Sequence, residues 1–304
     1  MQTAHDSIAR PTSLSATFIY SQKKQIVTAL SYDHYWDRNI YHFIGSAGYS
    51  KFPTIFYGIG NQAPDSNGEN FTPKSLSLFL NLHKKIRHGL YLGGQYELDY
   101  TQLAKIKSKG NLDTNDVAGK QSGASSGLGA AAHWDTRDNT LYPRSGSYDQ
   151  MSVMPFAGIF GSHYKFIRIT LDVRQYFSLW ETHVLAYQIY ANVITGHPPF
   201  YKMSLFGGSN IMRGYYEGRY RDRDMLAFQA EYRLPVWWRF GIVGFAGYGD
   251  VAHRVSDFRI KDFKYSIGYG IRFGIDQQNR LNIRLDIGYG KKSAYPVIAF
   301  QEAF

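Results

Sequence analysis

Lys264-Tyr-Ser-Ile-Gly-Tyr-Gly-Ile-Arg-Phe-Gly-Ile-Asp276 alternates without a break. One parity reads Tyr265, Ile267, Tyr269, Ile271, Phe273, Ile275; the other reads Lys264, Ser266, Gly268, Gly270, Arg272, Gly274, Asp276. The next stretch, Arg280 to Gly290, repeats the pattern, with Leu281, Ile283, Leu285, Ile287 and Tyr289 against Asn282, Arg284, Asp286 and Gly288. Side chains of a strand point alternately to its two faces, so such a segment has one apolar and one polar face. Residues 224–236 behave likewise, with Leu226, Phe228, Ala230, Tyr232 and Leu234 against Gln229, Glu231 and Arg233. So do Leu76, Leu78, Leu80, Leu82 and the run Leu90 to Asp99.

Working outward, the pattern predicts fourteen strands, near 12–21, 24–32, 39–50, 71–87, 89–106, 125–138, 146–160, 164–179, 183–195, 224–236, 240–253, 264–276, 279–291 and 297–304. Most run about 10–14 residues, where ordinary strands run about 5–6. About ten residues tilted near 45° cross a bilayer core. The connections alternate in length. Arg87-His88-Gly89, Trp180-Glu181-Thr182, Trp237-Trp238-Arg239 and Gln277-Gln278 are short, whereas 51–70, 107–124 and 196–223 are long and polar. Short turns at one end and long loops at the other are the layout of a transmembrane barrel. Tyr and Trp gather near strand ends, as interfacial girdles do. The fold class expected is therefore all-β, an antiparallel transmembrane β-barrel occupying 1–304 as one domain. A large soluble sandwich is the competing reading, but it seldom needs strands this long.

Composition agrees. The 304 residues include 25 Tyr, 20 Phe, 5 Trp and 30 Gly, but no Cys. No disulfide framework or thiolate metal site is available. Apolar content of 44% excludes a disordered chain. No apolar run approaches the roughly 20 residues of a membrane helix. Met1 to Pro11 has no apolar stretch of the kind that marks a signal peptide. The net charge is +10. The basic residues are spread over polar parities, loops and strand ends. That favours anionic lipid headgroups over nucleic acid, which calls for a basic face with interleaved aromatics. Lys105, Lys107 and Lys109 are candidates for lipopolysaccharide phosphates.

Two segments carry a family resemblance. One spans Gly129 to Gly146, with Asp135-Thr136-Arg137-Asp138-Asn139 and Leu141-Tyr142-Pro143-Arg144-Ser145-Gly146. The other has Phe206-Gly207-Gly208-Ser209-Asn210, Met212-Arg213-Gly214-Tyr215, Arg219-Tyr220-Arg221-Asp222 and Glu231-Tyr232-Arg233-Leu234-Pro235. Together they resemble the barrel domain of the BamA/TamA superfamily, also called bacterial surface antigens. The resemblance covers nearly the whole chain. It implies a sixteen-stranded barrel in the bacterial outer membrane, to which the fourteen strands correspond as the third to sixteenth. The expectation is that the first two strands are missing, with Met1 an internal start and 9–20 the connection into the third strand. A complete fourteen-stranded barrel is the alternative. The chain has no room for the family's periplasmic POTRA repeats.

The resemblance also implies residue roles. Arg213, with Gly214 and Tyr215, would belong to a long loop folded into the lumen, held there by acids on the two following strands. Glu231 lies on the polar parity of the first of these. On the second, the family's Phe-x-Asp-x-Gly reads Phe245-Ala246-Gly247-Tyr248-Gly249, so its acid is replaced by Gly247 and Asp250 is the nearby substitute. Asp135, Arg137, Asp138, Pro143 and Gly146 form a periplasmic turn motif. Phe300 and Phe304, on one parity with Ile298, form the C-terminal signal of outer-membrane barrels, from which Glu302 departs. The implied function is to assist membrane-protein insertion, or secretion, through a lateral seam between first and last strands. Partners would be membrane lipid, lipopolysaccharide, client barrel proteins or a periplasmic protein. The alternative is a passive or plugged pore.

Nothing points to catalysis or to a cofactor. Inward Glu97, Asp99, Arg168, Asp172, Arg174, Arg272, Arg284 and Asp286 mix both signs, as a self-neutralising lumen lining does. No phosphate loop or nucleophile elbow is present. The ten His are scattered, and no group has metal-ligand spacing, so no metal site is expected.

Overall fold

A computed structural model describes residues 10, 12–22, 24–104, 106–107, 109–114, 117–180 and 182–304. Met1, Pro11, Lys105 and Glu181, which figure in the sequence reading, lie outside them. Among the described residues one antiparallel sheet contains fourteen strands in chain order. They are β1 Ser13–Tyr20, β2 Ile26–Trp36, β3 Tyr41–Lys51, β4 Pro73–Arg87, β5 Leu90–Leu103, β6 Gly123–Asp135, β7 Gly146–Phe156, β8 Phe166–Leu179, β9 His183–Gly196, β10 Asp224–Trp237, β11 Phe240–Ala252, β12 Lys264–Asp276, β13 Leu281–Gly290 and β14 Ser293–Phe300. Every link is between sequence neighbours, and the sheet ends at β1 on one side and β14 on the other. The inner strands have 10–15 residues and the two edge strands 8.

Burial is inverted relative to a soluble protein. On β12 the apolar residues Tyr265, Ile267, Tyr269 and Ile271 are about half exposed, whereas Lys264, Ser266 and Arg272 are buried. Aliphatic and aromatic side chains coat the outside, and charges are enclosed. Water would penalise this arrangement on both faces, whereas lipid outside and ion pairs inside satisfy it. The sheet is curled: β1, β2, the 140–148 segment and residues 300–304 line one cavity of about 1040 Å³.

The two ends differ. All five Trp lie at the short-turn end: Trp36 closes β2, Trp134 is next to last in β6, Trp180 follows β8, and Trp237-Trp238 closes β10. Three register shifts, at Lys85/Arg87, Pro235/Trp237 and Gly274/Asp276, fall at this same end. At the opposite end the long loops fold over the sheet. Short ladders join Thr54–Phe56 to Glu69–Phe71 and Ser204–Phe206 to Tyr220–Asp222. Phe56, Phe71, Leu112, Val117 and Phe200 form an apolar cluster among the loops.

Strand ends shift by up to four residues from those expected, as where 24–32 becomes Ile26–Trp36 and 146–160 becomes Gly146–Phe156, and the shift at the C-terminus has a consequence for side-chain placement. The last strand is 293–300, not 297–304. Gln301 has φ +62°, a left-handed turn that ends the alternation. Ile298 and Phe300 stay outside, 78% and 66% exposed, but Phe304 turns inward and is 4% exposed against Tyr176, Ala186 and Ala303. Phe304 therefore does not share the lipid-facing side with Phe300. Glu302, anomalous on an outward parity, is in fact inside and takes Arg272 Nε at 2.7 Å.

Candidate functional site

The 197–223 loop between β9 and β10 runs through the interior, and Arg213 is its buried cation at the barrel wall. Carboxylates on both arms of its fork satisfy a buried guanidinium best. Arg213 Nη2 donates to Glu231 Oε2 at 2.6 Å and Nη1 to Asp286 Oδ2 at 2.7 Å, with all three side chains fully buried. The guanidinium carbon also lies 3.6 Å from the centroid of Phe245. Glu231 is on β10, next to the loop, but Asp286 is on β13, three strands further on. Gly247, where the family's acid was missing, packs toward the Met212 sulfur.

Asp286 has a second task. Arg272 and Arg284 face each other across the β12–β13 ladder, a repulsive pairing on its own. Asp286 accepts from Arg272 at 2.5 Å and from Arg284 at 2.7 Å, so one carboxylate serves three arginines. Arg284 in turn donates to Ser209 O at 3.0 Å and Asn210 Oδ1 at 2.8 Å of the loop.

Gly214 has φ +110°, and a Cβ there would lie 2.7 Å from the main-chain nitrogen of Tyr289. Its counterpart on the wall is Gly288, where a Cβ would come within 2.5 Å of Gly214 N. Backbone thus rests on backbone. Tyr215 completes the docking: its hydroxyl donates to Tyr265 O and accepts from Lys291 N, both at 2.8 Å. Ser266 Oγ also donates to Arg213 O.

Asp250 is elsewhere. It accepts from Lys264 at 2.5 Å and Asn61 at 2.8 Å at the long-loop end. It therefore does not replace the missing acid at Arg213. Beyond it, Arg219 pairs with Asp65 at 2.5 Å, while Gly60 N donates to Arg221 O at 2.8 Å, tying the inner loop to the 52–72 loop. Arg221 is buried between Phe56 and Phe200, with no carboxylate bound to it among the described residues, and burial lowers its pKa to about 10.

The turn motif covers the short-turn mouth. Asp135, fully buried, accepts from Arg137 Nη2 at 2.9 Å and Nε at 3.0 Å, and from Arg10. Burial disfavours the Arg137 charge, but Asp135 more than reverses this and raises its pKa. Asp138 Oδ1 accepts from the amides of Arg144 and Ser145, and Oδ2 from Arg280 at 2.5 Å. Burial pushes its carboxyl up, yet these bonds outweigh that and hold it below the usual range. Gly146 has φ +94°, and a side chain there would strike the Thr136 carbonyl. Pro143 O accepts from Arg233 at 3.2 Å, and Arg233 also donates to Glu231 at 2.8 Å and Phe304 O at 2.8 Å. The turn, the chain's last residue and the Arg213 cluster thus form one network, with Arg233 as the connection that the sequence did not single out.

A further lumenal set joins Glu97 and Asp99 with Arg168 and Lys202. The expectation that no histidines group together is corrected: His42, His83 and His133 meet on the wall.

Comparison places this architecture. The fold is similar to BamA from Haemophilus ducreyi lacking POTRA domains 1–3, with TM-score 0.58 and 13% identity over 95% of this chain and 64% of that one. It is similar to CdiB from Acinetobacter baumannii, with TM-score 0.58 and 15% identity over 95% and 53%, and to CdiB from Escherichia coli, with 0.56 and 9% over 91% and 52%. The chain spans about half to two thirds of the length of those structures. At such identities the likeness is one of fold. No curated protein sequence matches. The sequence model of the Omp85 superfamily domain matches residues 9–300, so this chain, an outer-membrane β-barrel, belongs to the Omp85 superfamily.

Proposed function

We propose that this barrel assists insertion or secretion of other proteins by opening laterally between β1 and β14, with the Arg213 loop as an internal latch beside the opening. The observation that carries the reading is the character of the two edges. β1 is exposed along seven of its eight residues, including Leu14, Phe18 and Tyr20. β14 contains Pro296, a residue that sheets accept on edges and at bulges. Both edge strands are short, and β1 and residues 300–304 flank the 1040 Å³ cavity. An unpaired edge is a template for an incoming strand. The Arg213 loop docks on β12 and β13, close to one side of that edge. Client barrels, membrane lipid, lipopolysaccharide and a periplasmic protein are the partners this role calls for.

The reading is non-enzymatic. The buried carboxylates Glu97, Asp172, Glu231, Asp250 and Asp286 each hold a cation, which leaves them poorly placed as acid–base catalysts.

The test uses the absence of native cysteine. Cysteines at Leu14 and Phe300, joined by a cleavable bifunctional thiol reagent, lock the edges together. The unlocked barrel in liposomes should speed folding of a client barrel, the locked one should not, and cleavage should restore the rate. Equal rates in both forms would refute lateral opening. Deleting 200–220 separates the pore reading: a rise in single-channel conductance without any effect on client folding supports a plugged pore.

A further inference from the structure

His42 lies at the start of β3, His83 near the end of β4 and His133 near the end of β6. All three are buried, at 2%, 1% and 1% exposure. Their ligand nitrogens lie within 4.8 Å of one another. Among the described residues, both ring nitrogens of His83 and of His133, and Nδ1 of His42, have no hydrogen-bond partner. Buried polar atoms are nearly always paired, so five unpaired nitrogens in one place require an explanation.

The strand register produces the cluster. His42 is opposite His83 across β3–β4. β5 intervenes between His83 and His133, but the residue opposite His83 there is Gly93, so no side chain separates the rings. Their centroids are 4.4 Å apart and nearly perpendicular. His42 is 5.5 Å from His133 and 6.1 Å from His83. The outer face of the cluster is fixed by aromatic stacking: Tyr35 on His42 at 3.7 Å and Tyr91 on His133 at 4.7 Å. Asp33 Oδ1 lies 2.9 Å from His42 Nε2. With that nitrogen engaged, Nδ1 is the one left to face its neighbours.

We propose that His42, His83 and His133 form a binding site for a divalent transition-metal ion of the zinc class. Three neutral imidazoles with no carboxylate in the first sphere suit zinc and its neighbours, and disfavour magnesium and calcium. Asp33 is the positioning carboxylate behind His42. Zn–N bonds of about 2.0–2.1 Å put tetrahedral nitrogens about 3.3 Å apart. The nitrogens, within 4.8 Å of one another, would close to that spacing by ring rotation about the ion. Asp33, Tyr35 and His42 line the 1040 Å³ cavity, which provides the entry path and room for water as fourth ligand. The ion would tie β3, β4 and β6 together on the wall near the β1 edge.

The test is a titration of the full chain, refolded in detergent, stripped with chelator and checked by heat-modifiable gel migration. Co²⁺ should bind at one equivalent with the visible bands of a tetrahedral nitrogen site. One equivalent of Zn²⁺ should abolish them, and Mg²⁺ should not. His83→Gln and His133→Gln should each weaken binding by at least about 100-fold, and Asp33→Asn by about 10–100-fold. His88→Gln, an exposed histidine, should leave it unchanged. Paramagnetic shifts in the wild-type barrel count the ligand imidazoles even if a variant fails to fold. No uptake at micromolar metal, fewer than three shifted imidazoles, or full affinity in the His83→Gln/His133→Gln double variant would overturn the proposal.

Discussion

Arg213 is fully enclosed in the lumen, yet the geometry predicts that its acid partner Asp286 is costlier to lose. Arg213→Met removes two charge-assisted hydrogen bonds, about 1.5–3 kcal/mol each, and a desolvated cation–π contact of about 2 kcal/mol. Most of this is offset. The substitution no longer buries a guanidinium, and neither acid is orphaned: Glu231 keeps Arg233 at 2.8 Å, and Asp286 keeps Arg272 and Arg284 at 2.5 and 2.7 Å. An apolar side chain of similar length should therefore cost a net of about 1–3 kcal/mol. Asp286→Asn differs. It leaves Arg284, 1% exposed, with no carboxylate and directly opposite Arg272. Breaking a buried pair in this way costs about 3–5 kcal/mol. At roughly 2 °C per kcal/mol, the midpoint of heat-modifiable gel migration should fall by about 2–6 °C for Arg213→Met and about 6–10 °C for Asp286→Asn. The double variant should cost less than the sum of the two. If Arg213→Met proves the more damaging, or if the two effects simply add, the view of Asp286 as the shared acceptor is wrong.

Other consequences are simpler. Gly288→Ala places a methyl against the main chain of Gly214, so the loop should become cleavable by protease within 207–218, whereas Gly244→Ala, with nothing within 4 Å, should behave as wild type. Phe304→Ala should cost about 3–5 kcal/mol in urea unfolding, as a buried aromatic does, while Phe300→Ala, exposed on the outer face, should scarcely change it in detergent. Asp138 is held below its ordinary pKa in the folded turn, so its contribution is complete above the unfolded value of about 3.9 and is lost as pH falls through the folded one. Hydrogen exchange across 136–145 should accelerate in that acid range, and Asp138→Asn should remove the dependence.

The fold was readable because a barrel strand records its surroundings locally. Leu285 and Ile298 alternate with polar neighbours whatever the rest of the chain does, and the period survives fourteen times. Parity loses its meaning where the bilayer no longer sorts the two faces. Asp250 sits on the outward parity of β11 but at its loop end, where Lys264 and Asn61 enclose it. Gln301 turns the chain without a glycine to announce it, so Phe304 looked like a continuation of β14. The partners of the site were hidden by distance. Glu231 lies on the strand after the loop and could be anticipated, whereas Asp286 is 73 residues from Arg213. The histidines need the register of β3 through β6 before they meet, and the one residue that permits it, Gly93, looks like any other strand glycine.

The one-sided placement of tryptophan has a practical consequence. Indole emission from this protein originates from a single leaflet, because the other rim carries tyrosine but no tryptophan. Brominated lipid confined to the leaflet at the short turns should quench that emission, and the same lipid in the opposite leaflet should leave it nearly intact. The direction in which the barrel enters a vesicle can thus be read from its own fluorescence, with no label attached.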